Sequence, residues 1–281
     1  MPRVTYGTLY LVPTPIGHPG DITLRAIDTL RAVSLIAAED TRNARTLLAP
    51  LQIGTRLVSY HDHNEESRTG QLVETLRAGS DVALISDAGT PMVNDPGYRL
   101  VTAAVAAGVR VVPLPGASAA ISALIGSGLE VHRFCYTGFL PRKSAARQAA
   151  IRQLKDFDGS LILFEAPHRL LETVRDLQAV LGDRRAALAR SISKPDELFL
   201  RGTLGELAAG LAAEQTVRGQ YTVVVSGAEQ AADTAEAQRI ARVLLANGAD
   251  ARLARAAVQE LAGLPRNQAY DLVAELAGDR P

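Results

Sequence analysis

The stretch Asp81-Val-Ala-Leu-Ile-Ser-Asp-Ala-Gly-Thr-Pro-Met-Val-Asn-Asp-Pro-Gly97 decides the fold. Val82 to Ile85 is a short apolar run that suits a strand buried on both faces. Ser86, Asp87, Gly89, Thr90, Pro91, Asn94, Asp95, Pro96 and Gly97 then rule out continuation as strand or helix interior. Tyr98 to Ala107 reads as a helix. A polar, turn-rich loop therefore joins a buried strand to a helix, and in open α/β sheets ligands bind outside the carboxyl ends of the strands. A tight connection with a few satisfied polar groups is the competing reading.

Working outward, the same pattern recurs. Thr8 to Val12 is an apolar strand running into Pro13-Thr-Pro-Ile-Gly-His-Pro-Gly20, with Asp21 expected to cap the next helix. Gly17 and Gly20 allow a close backbone approach to a ligand, but their G-x-x-G spacing is neither a dinucleotide fingerprint nor a P-loop. Strands at 34–38 and 56–59 end in Glu39-Asp-Thr-Arg42 and in Tyr60-His-Asp-His-Asn-Glu65. His61 and His63 lack a third partner for a metal, so none is expected. The strand Arg110 to Leu114 feeds Pro115-Gly-Ala-Ser-Ala119, a turn before a helix N-terminus. This alternation predicts a parallel sheet with right-handed crossovers.

Gly126-Ser-Gly128 reads as a break and a domain hinge. A second α/β pattern follows, with strands at 134–140, 160–164, 185–189 and 221–225, and a helix opening over 202–208. Between the first two strands, residues 141–155 carry Arg142, Lys143, Arg147, Arg152 and Lys155 with no acid. That run is either a solvated helix face or a phosphate contact. A small, polar linker is expected near 228–233, then helices at 235–246, 251–262 and 266–277. These form a helix-turn-helix or a plain helical cap, and Arg266 and Asn267 open the last of them. The expected domains are 1–117 and 118–230, both α/β, and a helical tail at 233–281.

At 281 residues and zero formal net charge, the chain has ample length for a core and no global basic field. One cysteine, Cys135, excludes an internal disulfide and a multi-cysteine zinc site. No apolar run approaches the roughly 18 residues that span a bilayer, and no signal peptide is recognised, so a cytoplasmic location is expected.

Seven segments carry a resemblance: Val12-Pro-Thr-Pro-Ile-Gly17, Ala37-Ala-Glu-Asp-Thr-Arg42, His61-Asp-His-Asn-Glu65, Ser86-Asp-Ala-Gly-Thr-Pro91, Asn94-Asp-Pro-Gly97, Pro113-Leu-Pro-Gly116 and Phe164-Glu-Ala-Pro-His-Arg169. In this order they resemble the small-subunit ribosomal RNA methyltransferases of the tetrapyrrole methylase superfamily. The resemblance implies an α/β fold of two domains with parallel and mixed sheets, a cofactor cleft between them and a small helical C-terminal module. It implies S-adenosylmethionine as donor, small-subunit (16S) rRNA in the 30S subunit as partner, a homodimer, and 2′-O-methylation of a cytidine near the decoding centre. The implied donor contacts are Thr14 and Gly17, Asp87, Ala88, Gly89, Thr90 and Val93, Ser118 and Ala119, and Phe164 and Glu165. The pattern departs in two places. Arg190-Ser-Ile-Ser-Lys194 stands where Arg-Glu-Leu-Thr-Lys is usual, and Arg218-Gly-Gln220 where Lys-Gly-Glu is usual, so two carboxylates are lost.

Methyl transfer from a sulfonium needs alignment above all, and a ribose hydroxyl gains from a proton acceptor. Asp40, Glu39 and His61 are the catalytic candidates, Asp40 first, against a reading in which Asp40 pairs with Arg42 or Arg45 and orders its loop. Arg142, Lys143 and Arg147 are the expected RNA phosphate contacts. Tyr60, Tyr136 and Phe139 are expected either to stack a splayed base or to fill the core. A methylase of a small tetrapyrrole-type acceptor and a non-catalytic RNA-binding assembly factor are the rival readings.

Overall fold

Five short parallel strands are laid down first, each followed by a helix. The computed structural model describes residues 6–214, 216–228 and 234–278. In chain order the first elements are β1 (Thr8–Leu11), α1 (Leu24–Ala32), β2 (Leu35–Ala38), α2 (Thr41–Leu48), β3 (Leu57–Ser59), α3 (Glu65–Arg77), β4 (Val82–Ile85), α4 (Tyr98–Ala106), β5 (Arg110–Pro113) and α5 (Ala119–Ser127). The sheet order is β3-β2-β4-β1-β5 and every pairing is parallel. Strand β4, at its centre, is buried throughout, as its unbroken apolar run requires. Ala26, Leu30, Ala44 and Leu48 of α1 and α2 cover one face with Ile36, Ala83 and Ile85. Leu72, Leu76, Leu100 and Ala104 of α3 and α4 cover the other with Leu9, Val82 and Leu84. The chain thus leaves β1 and its neighbour β4 over opposite faces, which opens a crevice between their carboxyl ends.

The second sheet is mixed. Its elements are β6 (Phe134–Phe139), α6 (Ser144–Arg152), β7 (Ser160–Glu165), α7 (Leu170–Leu181), β8 (Arg185–Arg190), β9 (Leu198–Thr203), α8 (Leu204–Ala213) and β10 (Tyr221–Val225). The order is β6-β7-β10-β8-β9, with only β6 and β7 parallel. Leu161, Leu163, Leu188, Val223 and Val225 face helices α6 to α8, while Ile162, Ala189 and Val224 face α5. Both sheets lie in one compact unit that ends at Gly227. A second unit begins at Ala228 and holds α9 (Thr234–Ala246), α10 (Ala251–Ala262) and α11 (Arg266–Gly278), which share a core of Ala237, Ala241, Val258, Ala269 and Val273.

Several expectations change. Asp21 does not cap α1: Pro19–Asp21 is a 3-10 turn, and Thr23 Oγ1 accepts from Ala26 N instead. Gly126-Ser-Gly128, expected as a break, falls at the end of α5. Its first two residues lie in α5, and Gly128 ends that helix in the left-handed conformation (φ 77°). A side chain at Gly126 would strike the Phe199 ring, so this glycine lets β9 approach α5. Strand β9 itself was not foreseen, and the helix expected at 202 starts at Leu204, where Thr203 and Glu206 form a capping box. Of the linker expected near 228–233, residues 229–233 lie outside the described residues.

Candidate active site

Loops after β1, β4 and β5 are stitched into one surface. Thr14 and Gly89 exchange two backbone hydrogen bonds of 2.9 Å, and Thr14 Oγ1 donates to the Ser86 carbonyl at 3.2 Å. Thr90 Oγ1 donates to the carbonyl of Ala117 at 3.0 Å. Gly89 sits at φ 83°, and an added Cβ would press on Ile16 at 3.3 Å. The end of β2 joins through Asp87, whose carboxylate accepts from Asp40 N at 3.1 Å and Asn43 Nδ2 at 2.7 Å, while Asp87 N donates to Glu39 at 3.3 Å.

These loops and the strand ends of the second sheet enclose a cavity of about 460 Å³, within the usual range for a small-molecule site. Asp87, Ala88, Gly89, Thr90, Val93, Ser118, Ala119, Phe164 and Glu165 line it with Ile16, Glu39, Asn94, Asp95 and Phe139. Phe164 meets Tyr136 and Phe139 edge-on, with ring centroids 5.2 and 5.8 Å away. Among the described lining residues there is no lysine or arginine, and Glu39 and Asp95 carry no ion-pair partner among the described residues. Apolar and aromatic walls with acidic groups outside ion pairs suit a nucleoside bearing a cationic sulfonium, the donor that the resemblance implies.

Three expected donor contacts need correction. Thr14 is buried, its hydroxyl spent on Ser86, and it does not line the cavity. Gly17 does not line it either. A Cβ there would lie 2.6 Å from the Ser193 backbone, so this glycine admits the loop after β8, which His18 N reaches through Ser193 Oγ at 3.0 Å. Glu165 presents only its backbone side, because its carboxylate faces α7. There it accepts from Thr173 Oγ1 at 2.6 Å and Ala166 N at 2.8 Å, with Arg169 at 3.4 Å.

The candidate bases separate clearly. Asp40 caps α2 through Arg42 N at 2.7 Å and pairs with Arg42 Nη2 at 2.9 Å. The side-chain bond from Arg42, with its backbone bond, holds the carboxyl down to about 2, which is poor for a base, and Asp40 does not line the cavity. Glu39 does line it, and burial pushes its carboxyl up. His61 Nε2 lies 3.2 Å from Asn64 Nδ2, and its Nδ1 is buried with no hydrogen-bond partner among the described residues. Asp95 was missed as a candidate. Burial, opposed by a bond from Ser86 and reinforced by the charges of Glu39, Asp87 and Asp62, pushes it up to about 6. Met92 (φ 71°) and Asn94 (φ 69°) hold the backbone before it in the left-handed region, a strain that gathers at functional loops.

The basic helix also divides. Arg142 and Lys143 are exposed, but Arg147 is 1% exposed and bonds Asp176 through Nε at 2.7 Å, so it is not available to phosphate. Tyr60 is fully buried, its hydroxyl 3.0 Å from Thr69 Oγ1, which excludes stacking on RNA. Tyr136 donates to Asn94 Oδ1 at 2.6 Å, and Phe139 is 54% exposed. Arg266 and Asn267 are exposed on α11. The two departures from the family pattern meet in space: Ser191 N donates to the Gln220 carbonyl at 2.9 Å, and Lys194 Nζ to Gln220 Oε1 at 3.0 Å. Among the described residues no group of three or more His, Cys, Asp or Glu is placed to hold a metal.

The family model for tetrapyrrole (corrin/porphyrin) methylases matches residues 8–208. The ribosomal RNA small subunit methyltransferase I of Micromonospora olivasterospora is 61% identical over 277 residues, covering 98% of this chain and 88% of that protein. Its counterpart from Escherichia coli O157:H7 is 44% identical over 276 residues, covering 97% and 96%. Among solved structures, the methyltransferase CobJ superposes with a TM-score of 0.60 at 21% identity, covering 79% of this chain and 95% of that one. Uroporphyrin-III C-methyltransferase from Thermus thermophilus, complexed with S-adenyl homocysteine, gives 0.56 at 22% identity, covering 78% and 97%. At these identities the two structures speak to the fold alone.

Proposed function

The chain belongs to the tetrapyrrole methylases, in the ribosomal RNA small subunit methyltransferase I family, and we propose that it transfers a methyl group from S-adenosylmethionine to a cytidine 2′-hydroxyl of 16S rRNA near the decoding centre. The observation that carries this reading is the acid-lined, cation-free cavity between the strand ends of the two sheets. When bound there, the donor supplies an activated methyl group on a positively charged sulfur. Ile16, Val93, Ala119 and Phe164 line the cavity and would hold the nucleoside part by apolar contact, and Glu39 would face the cationic part. The stitched loops keep these groups fixed, and holding the acceptor oxygen in line with the methyl carbon supplies up to roughly 7–11 kcal/mol of the barrier.

Arg142 and Lys143 contact RNA phosphates, which positions the substrate without reading its sequence. Phe139, exposed at the cleft edge, offers its ring to an unpaired base. The partner is the 30S subunit or its rRNA, and the protein acts in the cytoplasm. No helix among the described residues is long and apolar enough to cross a membrane. A homodimer is part of the reading, and the exposed Val105 on α4 and Ile125 on α5 supply apolar surface for a second copy. The test is nuclease digestion of rRNA from reacted subunits, with the nucleosides separated by mass. The expected product is 2′-O-methylcytidine. A methyl group on a base, or none on RNA with donor binding intact, contradicts the assignment.

A further inference from the structure

Among the described residues, Asp95 alone lines both of two neighbouring cavities. One is the donor cleft. The other, of about 580 Å³, lies on its outer side and is walled by Asp62, Glu65, Pro96, Tyr98, Arg99 and Thr102. The geometry points to a division of labour resting on the methyl-transfer reading above: the acceptor nucleoside occupies the outer cavity, and Asp95 receives the proton of its hydroxyl.

Four other carboxylates near the cleft are held by protein groups. Asp40 is held by Arg42, Asp87 by Asp40 N and Asn43, and Glu165 by Thr173 and Arg169. Glu39 receives Asp87 N, and it lines the donor side alone. Asp95 takes a bond from Ser86 but has no ion-pair partner among the described residues, and it lines both cavities. Its position is fixed from two directions. Before it, Asn94 is gripped by the Tyr136 hydroxyl at 2.6 Å and fills a bulge in β6, where a Cβ on Gly138 would lie 2.7 Å from Asn94 Oδ1. After it, Gly97 at φ 140° leaves no room for a Cβ against Leu84. The outer cavity suits an unstacked ribonucleotide: Asp62 and Glu65 offer acceptors, Arg99 a cation 3.2 Å from Glu65, and Tyr98 a largely exposed ring.

In the step, a bond forms between the 2′-oxygen and the methyl carbon as the carbon–sulfur bond breaks and its electron pair returns to sulfur. The hydroxyl proton passes to the Asp95 carboxylate and from there to water. The groups facing Asp95 are Glu39 at the end of β2, Asp62 after β3, Ser86 and Asp87 after β4, and Tyr136 on β6, whose own hydroxyl is pushed up to about 12 by burial and by Asp95. This acidic company favours the protonated form at low pH, so activity requires the pH to lie above the Asp95 value of about 6.

The test uses the full chain, radiolabelled S-adenosylmethionine and small subunits lacking the modification, in single-turnover runs across pH, with donor affinity measured separately by calorimetry. The wild-type rate is expected to rise through about pH 6 and level off. Asp95→Asn is expected to bind the donor more weakly but measurably, to transfer roughly 10²–10⁴-fold more slowly at saturating donor and to lose the rise. Asp95→Glu should recover part of the rate. Thr102→Trp, which fills the outer cavity from an exposed helix position, should raise the KM for subunits and leave donor affinity alone. Asp95→Asn within about tenfold of wild type, a rise with pH that survives the substitution, or an unchanged KM in Thr102→Trp overturns the assignment while methyl transfer itself stands. A wild-type chain that binds the donor and labels no RNA takes down both readings together.

Discussion

Replacing Asp176 with alanine strips the partner from a guanidinium that has almost no access to water. Arg147 is 1% exposed. Its Nε lies 2.7 Å from Asp176 Oδ2, its Nη1 donates to the Arg142 carbonyl at 3.1 Å, and the exposed Glu172 stands 3.7 Å from Nη2. Burial alone pushes the Asp176 carboxyl up. Bonds from Gln148, Arg147 and Ser144 outweigh it and hold the group below the usual carboxylate range. Breaking a buried pair from one side costs about 3–5 kcal/mol, because the remaining charge is left unpaired. Glu172 and the Arg142 carbonyl soften the loss, which places Asp176→Ala near 3 kcal/mol, or about 6–12 °C in Tm for a unit of this size. Thermal unfolding of the full chain by circular dichroism reads that shift. Arg147→Met with Asp176→Leu should recover most of it, since an apolar pair of similar volume replaces buried charges at little cost. If Arg147 contacted phosphate, this double variant would also lower the salt slope of subunit binding by about 1. The slope is predicted to stay, while Arg142→Ala lowers it. A Tm loss under about 2 °C for Asp176→Ala, or a reduced slope in the double variant, would refute the structural role of Arg147.

Three further outcomes are expected. Ala119→Phe, at the first turn of α5 and on the cavity wall, should abolish donor binding by calorimetry while leaving the circular dichroism spectrum unchanged; retained binding would move the donor elsewhere. Asp40→Asn keeps a good helix cap and should retain methyl transfer close to wild type, whereas a loss of 10²-fold or more would restore Asp40 as the base. Asp95→Asn should raise Tm at pH 8 and hardly at pH 4. A carboxyl raised to about 6 in the fold binds its proton more tightly folded than unfolded, so its stabilising effect is complete below the unfolded value and is lost as pH rises through 6. The gain at pH 8 is of order 1–2 kcal/mol after allowance for solvent contact.

The central loop and the parallel sheet were legible because their signals are local: an unbroken apolar run, then residues that terminate regular structure. The expected residues at 87–90, 93 and 118–119, whose placement depends on backbone, do line the cavity. The site was less legible where side-chain direction decides. Phe164 and Glu165 are neighbours on one strand, so they cannot both point into the cleft, and strand parity groups Glu165 with Leu161 and Leu163 on the helix-covered face. Arg147 follows the exposed Arg142 and Lys143 within one basic run, and only Asp176, brought alongside from α7, reveals its role. Strand β9 escaped notice because its alternation is broken by Arg201 and Gly202, the latter fitted against Glu206. Thr23 and Asp21 are both good capping residues, and it is the 3-10 turn begun by Pro19 that selects Thr23. Asp95 lay in the quoted loop, but its singularity comes from the cavities on either side of it.

The most direct test of the account is label transfer from methyl-radiolabelled S-adenosylmethionine to small ribosomal subunits that lack the modification, with Ala119→Phe run beside the wild type. The account predicts label in 16S rRNA with the wild-type chain and none with the variant. Label that persists in Ala119→Phe would contradict the donor site, and donor binding without any label in RNA would contradict the acceptor.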